Sequence, residues 1–132
     1  MGRRLILDTN LLIDYERGRL DQRSFDDDEL AIASITVAEY RIGIEFAQTA
    51  QQVTHRESAL EAIIDAVEVL DYTEATAAHH ARLIAHARRS GRPRGAHDLI
   101  IAAHAAQTGR IVLSRDAAAR FGDLPGVLPE SP

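Results

Sequence analysis

The chain contains no cysteine and no tryptophan, and all 15 of its basic side chains are arginine. Without cysteine there is no disulfide, no thiolate nucleophile and no zinc site built on sulfur. Without lysine there is no P-loop phosphate cradle and no Schiff-base catalysis, since both require that amine. Aromatic residues make up 5% of the chain, too few for the stacked platform on which single-strand binders lay bases. No apolar run is long enough to span a bilayer. The first one is broken at Asp8, too early for a signal peptide, so a cytoplasmic location with no membrane attachment is expected.

What is present fits one soluble domain over residues 1–132. At 45% hydrophobic and 27% charged residues the composition is that of an ordinary globular protein. A chain of this length buries about two thirds of its unfolded surface. The net charge of −5 argues against a protein that coats nucleic acid non-specifically.

Short apolar runs alternate with helical periodicity along the whole chain. Arg3 to Asp8, Leu30 to Ile35, Val67 to Tyr72 and Arg110 to Ser114 read as buried strands. Between them, helices are predicted over 11–18, 36–47, 55–66, 73–91 and 97–109, several closed by a glycine. Asp26 to Glu29 is expected to be a solvated acidic loop, 48–52 a polar link, and Gly91 to Ala96 a loop by its glycine and proline. A short helix over 116–121 and an edge strand at Val127-Leu128 complete the reading. This alternation implies an α/β sandwich around a mostly parallel sheet. In such sheets ligands bind outside the carboxyl ends of the strands, where the strand order reverses.

That rule draws attention to four acids. Asp8 ends the first strand, Glu39 lies just past the second, Asp116 just past the fourth, and Asp98 opens the helix before it. Each alone has an ordinary explanation. Asp8 and Asp116 could cap the helices that follow. Thr36 and Glu39 have capping-box spacing, and Asp98 would favour a helix N-terminus. Together they are harder to dismiss. Two carboxylates repel by roughly 4 kcal/mol at about 4 Å and an effective dielectric near 20. Four at one edge therefore call for shifted pKa values or a hard divalent cation such as Mg²⁺ or Mn²⁺.

The stretches ILDTNLLID, ITVAEYRIGI and HDLIIAAHAAQTGRIVLSRDAAARFGDLPGV, in that order, resemble the PIN-domain ribonucleases, and among them the VapC toxins of bacterial toxin–antitoxin pairs. The resemblance covers nearly the whole chain, and the last segment is the most specific. It implies a PIN-like α/β/α sandwich and metal-dependent cleavage of RNA by an acidic quartet, here Asp8, Glu39, Asp98 and Asp116. Asp8 and Asp98 would be direct ligands of Mg²⁺ (or Mn²⁺). Asp116 and Glu39 would act through water or complete a second ion's shell. Ser114 falls on the family's Ser/Thr position and would orient Asp8 or the attacking water; Thr9-Asn10 is the polar pair after the first acid. Where some relatives carry a further acid after the fourth, this chain has Ala118, Ala119 and Arg120.

An acidic pocket repels RNA, so neighbouring cations must attract it. Arg88, Arg89, Arg92 and Arg94 precede Asp98 and Arg115 precedes Asp116; Arg92, Arg94 and Arg115 are the expected phosphate contacts. His55, His79, His80, His86 and His104 show no ligand spacing and read as structural or exposed, while His97 could brace Asp98. Leu11, Leu12, Tyr15, Tyr40, Ile42, Ile44 and Phe46 supply the core. Any surplus could line a groove for an amphipathic partner. The resemblance implies that this partner is a small VapB-type antitoxin, forming a heterocomplex, and that the chain itself is a homodimer. The alternative is a non-catalytic PIN-like module for RNA binding or protein interaction, which should have lost part of the quartet. A phospho-receiver fails for want of a lysine, and a haloacid-dehalogenase-type phosphatase fails because Asn10 stands where its second aspartate belongs.

Overall fold

The computed structural model describes residues 2–132. Strand β1 (Arg4–Leu7) leads into helix α1 (Thr9–Glu16), and a 3₁₀ turn (Gln22–Phe25) precedes β2 (Glu29–Ala33). Helices α2 (Ser34–Glu45) and α3 (Ala50–Ala66) follow, then β3 (Glu68–Leu70) and α4 (Glu74–Ser90). Helix α5 (Ala96–Thr108) feeds β4 (Ile111–Leu113); two further 3₁₀ turns (Ala117–Ala119 and Phe121–Asp123) lead to β5 (Pro129–Glu130).

The five strands form one sheet in the order β3-β2-β1-β4-β5, and every neighbouring pair is parallel. Strand β1 is central because it is apolar on both faces. Leu5 and Leu7 enter the layer formed by α1, α2 and α3, and Ile6 enters the layer built chiefly on α4 and α5. Leu5 and Ile6 have no exposed surface, which contributes roughly 2 kcal/mol each. The chain winds outward from β1 through β2 to β3, then returns to the opposite side with β4. The order therefore reverses between β1 and β4, and the residues after Leu7 and Leu113 flank that point.

Several boundaries differ from those expected. Helix α3 starts at Ala50, within the expected polar link, because the Thr49 hydroxyl accepts from the Gln52 N–H at 3.1 Å. Helix α2 starts at Ser34 behind an uncapped Ala33, so Thr36 lies inside the first turn and the Thr36–Glu39 capping box does not form. The acidic run is not wholly a solvated loop. Asp28 takes a 2.7 Å ion pair from Arg3, which holds its carboxyl below the ordinary range, and Glu29 belongs to β2. The segment after Asp116 is two 3₁₀ turns around a left-handed Arg120, not one helix. The edge strand lies at Pro129–Glu130: Val127 is buried in the core, and the ladder begins at the Leu128 carbonyl, which accepts from Val112 N–H at 2.9 Å. An edge position tolerates Pro129, which has no N–H to donate.

At the opposite end of the sheet, Arg110 is buried and donates to the Leu5 carbonyl, Glu29 and Glu68, tying β1, β2 and β3 together. Gly91 and Gly109 close α4 and α5 with φ of 68° and 65°, the left-handed region that glycine enters without penalty. Among the described residues no helix is long and apolar enough to cross a membrane.

Candidate active site

The carboxyl edge at the β1/β4 reversal gathers the polar residues singled out in the sequence. Asp8 is the cap between β1 and α1, with its Oδ1 accepting from Thr9 N–H at 2.8 Å. It is buried, and Ser114, also buried at the end of β4, donates its hydroxyl to Asp8 Oδ2 at 2.7 Å. Asn10 braces the same pair. Its amide donates to Ser114 Oγ at 3.2 Å and Asp8 Oδ2 at 3.3 Å, while its Oδ1 accepts from Arg115 N–H at 3.1 Å. Asp116 is exposed but pinned. Its N–H donates to Ser114 Oγ at 3.0 Å, and its carboxylate accepts from Ala118 N–H at 3.0 Å.

Glu39 comes in from α2 on the other side. Its Oε1 accepts from the Thr9 hydroxyl at 3.1 Å, and its Oε2 lies 3.1 Å from His97 Nδ1. His97 thus braces Glu39, not Asp98 as the sequence suggested. Asp98 occupies the first turn of α5. The helix has no side-chain cap, because Gly95 is its N-cap, and a methyl group on Gly95 would lie 2.9 Å from Asp98 Oδ2. The space over this carboxylate exists because position 95 has no side chain.

The electrostatics of Asp98 and Asp8 register the acids around them. Burial is the largest influence on Asp98, followed by repulsion from Asp8, Asp116 and Glu39; His97 opposes them, and the result is a pKa pushed up to about 6. Asp8 is also raised, first by burial and further by Glu39 and Asp116, against the lowering effect of the Ser114 and Thr9 hydrogen bonds. Among the described residues no three acid or imidazole groups are drawn together closely enough to hold an ion as they stand. The donor set nonetheless suits a hard divalent cation. It offers carboxylate oxygens without sulfur, mutual repulsion that such a charge would relieve, and open room beside Asp98.

The arginines divide. Arg92 is well exposed, with a 3.4 Å surface contact to Asp123, and Arg88 and Arg89 are exposed at the end of α4. Arg115 is half-exposed and pairs with Asp14. Arg94 departs from the expectation of a phosphate contact. Its side chain is 4% exposed, and its Nη1 donates to the carbonyls of Ala119 and Arg120 at 2.7 and 2.6 Å. Tyr40 is likewise buried, donating its hydroxyl to Glu16 at 2.6 Å. Of the apolar residues named for a groove, Leu11, Leu12 and Ile44 are core, and Ile42 and Phe46 are the exposed surplus. The Thr9 and Asn10 pairings were half-visible in the sequence, since a polar pair after a strand-ending acid must find partners; the His97–Glu39 contact spans 58 positions and left no local signal.

A parallel sheet with an acidic rim at its switch point defines a class, and comparison with known proteins gives the family. Residues 5–125 match the model of the PIN domain, and the chain belongs to that family. It is 35% identical over 111 residues to Ribonuclease VapC5 of Mycobacterium tuberculosis, covering 84% of this chain and 82% of that one. It is 28% identical over 117 residues to the tRNA(fMet)-specific endonuclease VapC of Shigella flexneri, covering 86% of each. Its fold superposes with a TM-score of 0.85 on DNA-bound VapBC from Salmonella typhimurium, at 29% identity over 99% of this chain and 98% of that one.

Proposed function

We propose that the chain is a divalent-metal-dependent ribonuclease of the VapC type, acting in the cytoplasm and silenced by a VapB-type antitoxin. One observation carries the reading: Asp8, Glu39, Asp98 and Asp116 sit around one sheet edge, where burial first, and repulsion among them second, raises the pKa of Asp98 and Asp8. The ribonuclease names of the relatives and the VapBC complex among the structural neighbours support it. The alternative, a binding module without chemistry, is disfavoured because all four acids and Ser114 are retained.

Asp8 and Asp98 are the residues that would hold Mg²⁺ or Mn²⁺. Such an ion supplies a water of lowered pKa and neutralises charge on the scissile phosphate. Ser114 opposes the effect of burial by donating to Asp8, which favours its ionised form and fixes its direction. Glu39, held from both sides by Thr9 and His97, cannot swing away from the rim. Asp116, exposed and anchored at its backbone, is suited to accept a hydrogen bond from the attacking water. Arg92 and Arg115, with Arg88 and Arg89 behind them, attract the phosphates flanking the cleaved bond. They explain how a chain of net charge −5 engages a polyanion.

The antitoxin's segment would lie on the α1–α2 face, where Thr9, Glu39 and Gly43 line a groove of about 190 Å³ and Ile13, Ile42 and Phe46 are exposed. An arginine from that segment could pair bidentately with the acidic rim. The deciding experiment is RNA cleavage with Mg²⁺ or Mn²⁺, with chelator and Asp98→Asn as controls. Full metal-dependent cleavage by Asp98→Asn would remove Asp98 from the site; no cleavage of any RNA by the unmodified protein would favour the binding module.

A further inference from the structure

The loop that leads into α5, whose first turn holds Asp98, and the loop that carries Asp116 are cross-linked by side chains, and the centre of the link is Arg94. Its Nη1 donates to Ala119 and Arg120 carbonyls, 25 and 26 positions away, and its Nη2 is 3.7 Å from Asp123. Arg120 reciprocates by donating to the Pro93 carbonyl at 3.3 Å. Between these contacts Arg120 takes φ 51° and ψ 47°, and it is the one non-glycine residue with positive φ among those described. A side-chain-bearing residue in this region costs about 1 kcal/mol and persists where its surroundings over-determine it. The buried guanidinium supplies that constraint, and its Nε has no partner, so Arg94 sits there at a cost. A surface cation serving RNA would have no reason to be sealed under this loop.

We infer that Arg94 is a positioning residue: by clamping the 119–120 carbonyls to the loop before α5, it fixes the distance between Asp98 and Asp116 and so sets the affinity of the acidic rim for a divalent cation. The inference rests on the reading of those acids as ion ligands. Arg94 is four residues before Asp98, and Ala119 three after Asp116, so a shift at the clamp is transmitted through only a few residues of backbone at either end. Partners one layer behind metal ligands commonly account for about 10- to 100-fold in affinity.

The test uses the whole chain carrying Arg94→Met, which keeps the volume, and Arg94→Lys, which keeps the charge but cannot reach both carbonyls with one rigid fork. Mn²⁺ binding by calorimetry at low temperature, where both variants are folded, should weaken about tenfold relative to the unmodified protein. RNA affinity in chelator, and its salt dependence, should stay within about twofold. In the metal-free variants the amides of residues 118–121 should exchange faster than in the parent, with those of α5 unchanged. Cleavage lost at low Mn²⁺ should return as Mn²⁺ is raised. If Mn²⁺ affinity is unchanged while only the melting temperature falls, Arg94 merely stabilises the fold and the inference is overturned. If RNA affinity and salt slope fall while Mn²⁺ binding persists, Arg94 is a phosphate contact after all, which also overturns it. Failure of the parent protein itself to bind Mn²⁺ removes the metal-site reading beneath it, an outcome distinct from the other two. Should Arg94→Met not fold, the comparison is made on Arg94→Lys.

Discussion

Replacing Asp98 with asparagine should make the metal-free protein more stable while destroying its affinity for metal. The carboxyl's midpoint is carried from an ordinary 3.8 to about 6 by burial and three neighbouring acids. In the unfolded chain it ionises near its ordinary value. The native state therefore binds this proton more tightly than the unfolded one does. Its contribution to stability is fully present below about pH 4 and is lost as pH rises through about 6. At about 1.4 kcal/mol per pH unit, the penalty at pH 8 has a ceiling of about 3 kcal/mol. Asp98 retains contact with solvent, and screening reduces that by about half. Asparagine also forgoes about 0.5 kcal/mol of attraction between the anion and the N-terminus of α5. The net gain for Asp98→Asn is about 1 kcal/mol, or about 4 °C in melting temperature for a domain of this size. Thermal denaturation in chelator at pH 8 should show it, and the same measurement at about pH 3, below both midpoints, should show almost no difference. Adding Mn²⁺ at pH 8 should reverse the order, because mass action then stabilises only the parent. An Asp98→Asn protein less stable than the parent in chelator at pH 8 would refute the account of crowded, mutually repelling acids.

Three other outcomes are expected. Gly95→Ala introduces a methyl 2.9 Å from Asp98 Oδ2 at a backbone φ of −62° that alanine accepts; cleavage should drop at least several-fold while the melting temperature holds or rises, by up to about 1 kcal/mol of stability. Arg92→Ala with Arg115→Ala should weaken RNA binding and lower the salt slope by about one to two, roughly one for each phosphate left without its arginine, with Mn²⁺ binding intact; an unchanged slope would return both to the solvated surface. Phe46→Asp, at a side chain 80% exposed, should leave folding and cleavage intact and weaken the antitoxin complex by about 1 kcal/mol or more, measured as the antitoxin concentration needed to block cleavage.

The layered architecture was legible because both of its periodicities were present: continuous apolar runs for strands covered on both faces and helical spacing between them. From those the switch-point rule led to the acids, and the family resemblance named them as a set. What escaped the sequence were interactions set by distant segments. Arg94 in a basic, glycine-flanked loop looks solvent-facing, and its burial depends on where residues 119–123 pass. Thr36 has the spacing of a helix cap with Glu39, but the chain enters α2 two residues earlier, directly from β2. The true start of α3 has a signal in Thr49 and Gln52, the same kind of spacing, masked because the surrounding residues are polar. The short helix expected over 116–121 fails because Arg120 turns left-handed within it, a state that no helix-forming propensity of three alanines could reveal.

Strand β5 is two residues long, and one of them is Pro129; the opposite edge, β3, has only three. Both borders are too short to present a long row of free backbone donors and acceptors, which works against an extended peptide joining as a sixth strand and against copies of the chain pairing edge to edge. Recognition is thereby diverted to the helical faces. On the proposed α1–α2 docking face, a regulator would have to bring preformed side-chain complementarity, and its specificity would lie in the residues of those helices and not in main-chain pairing that any strand could imitate.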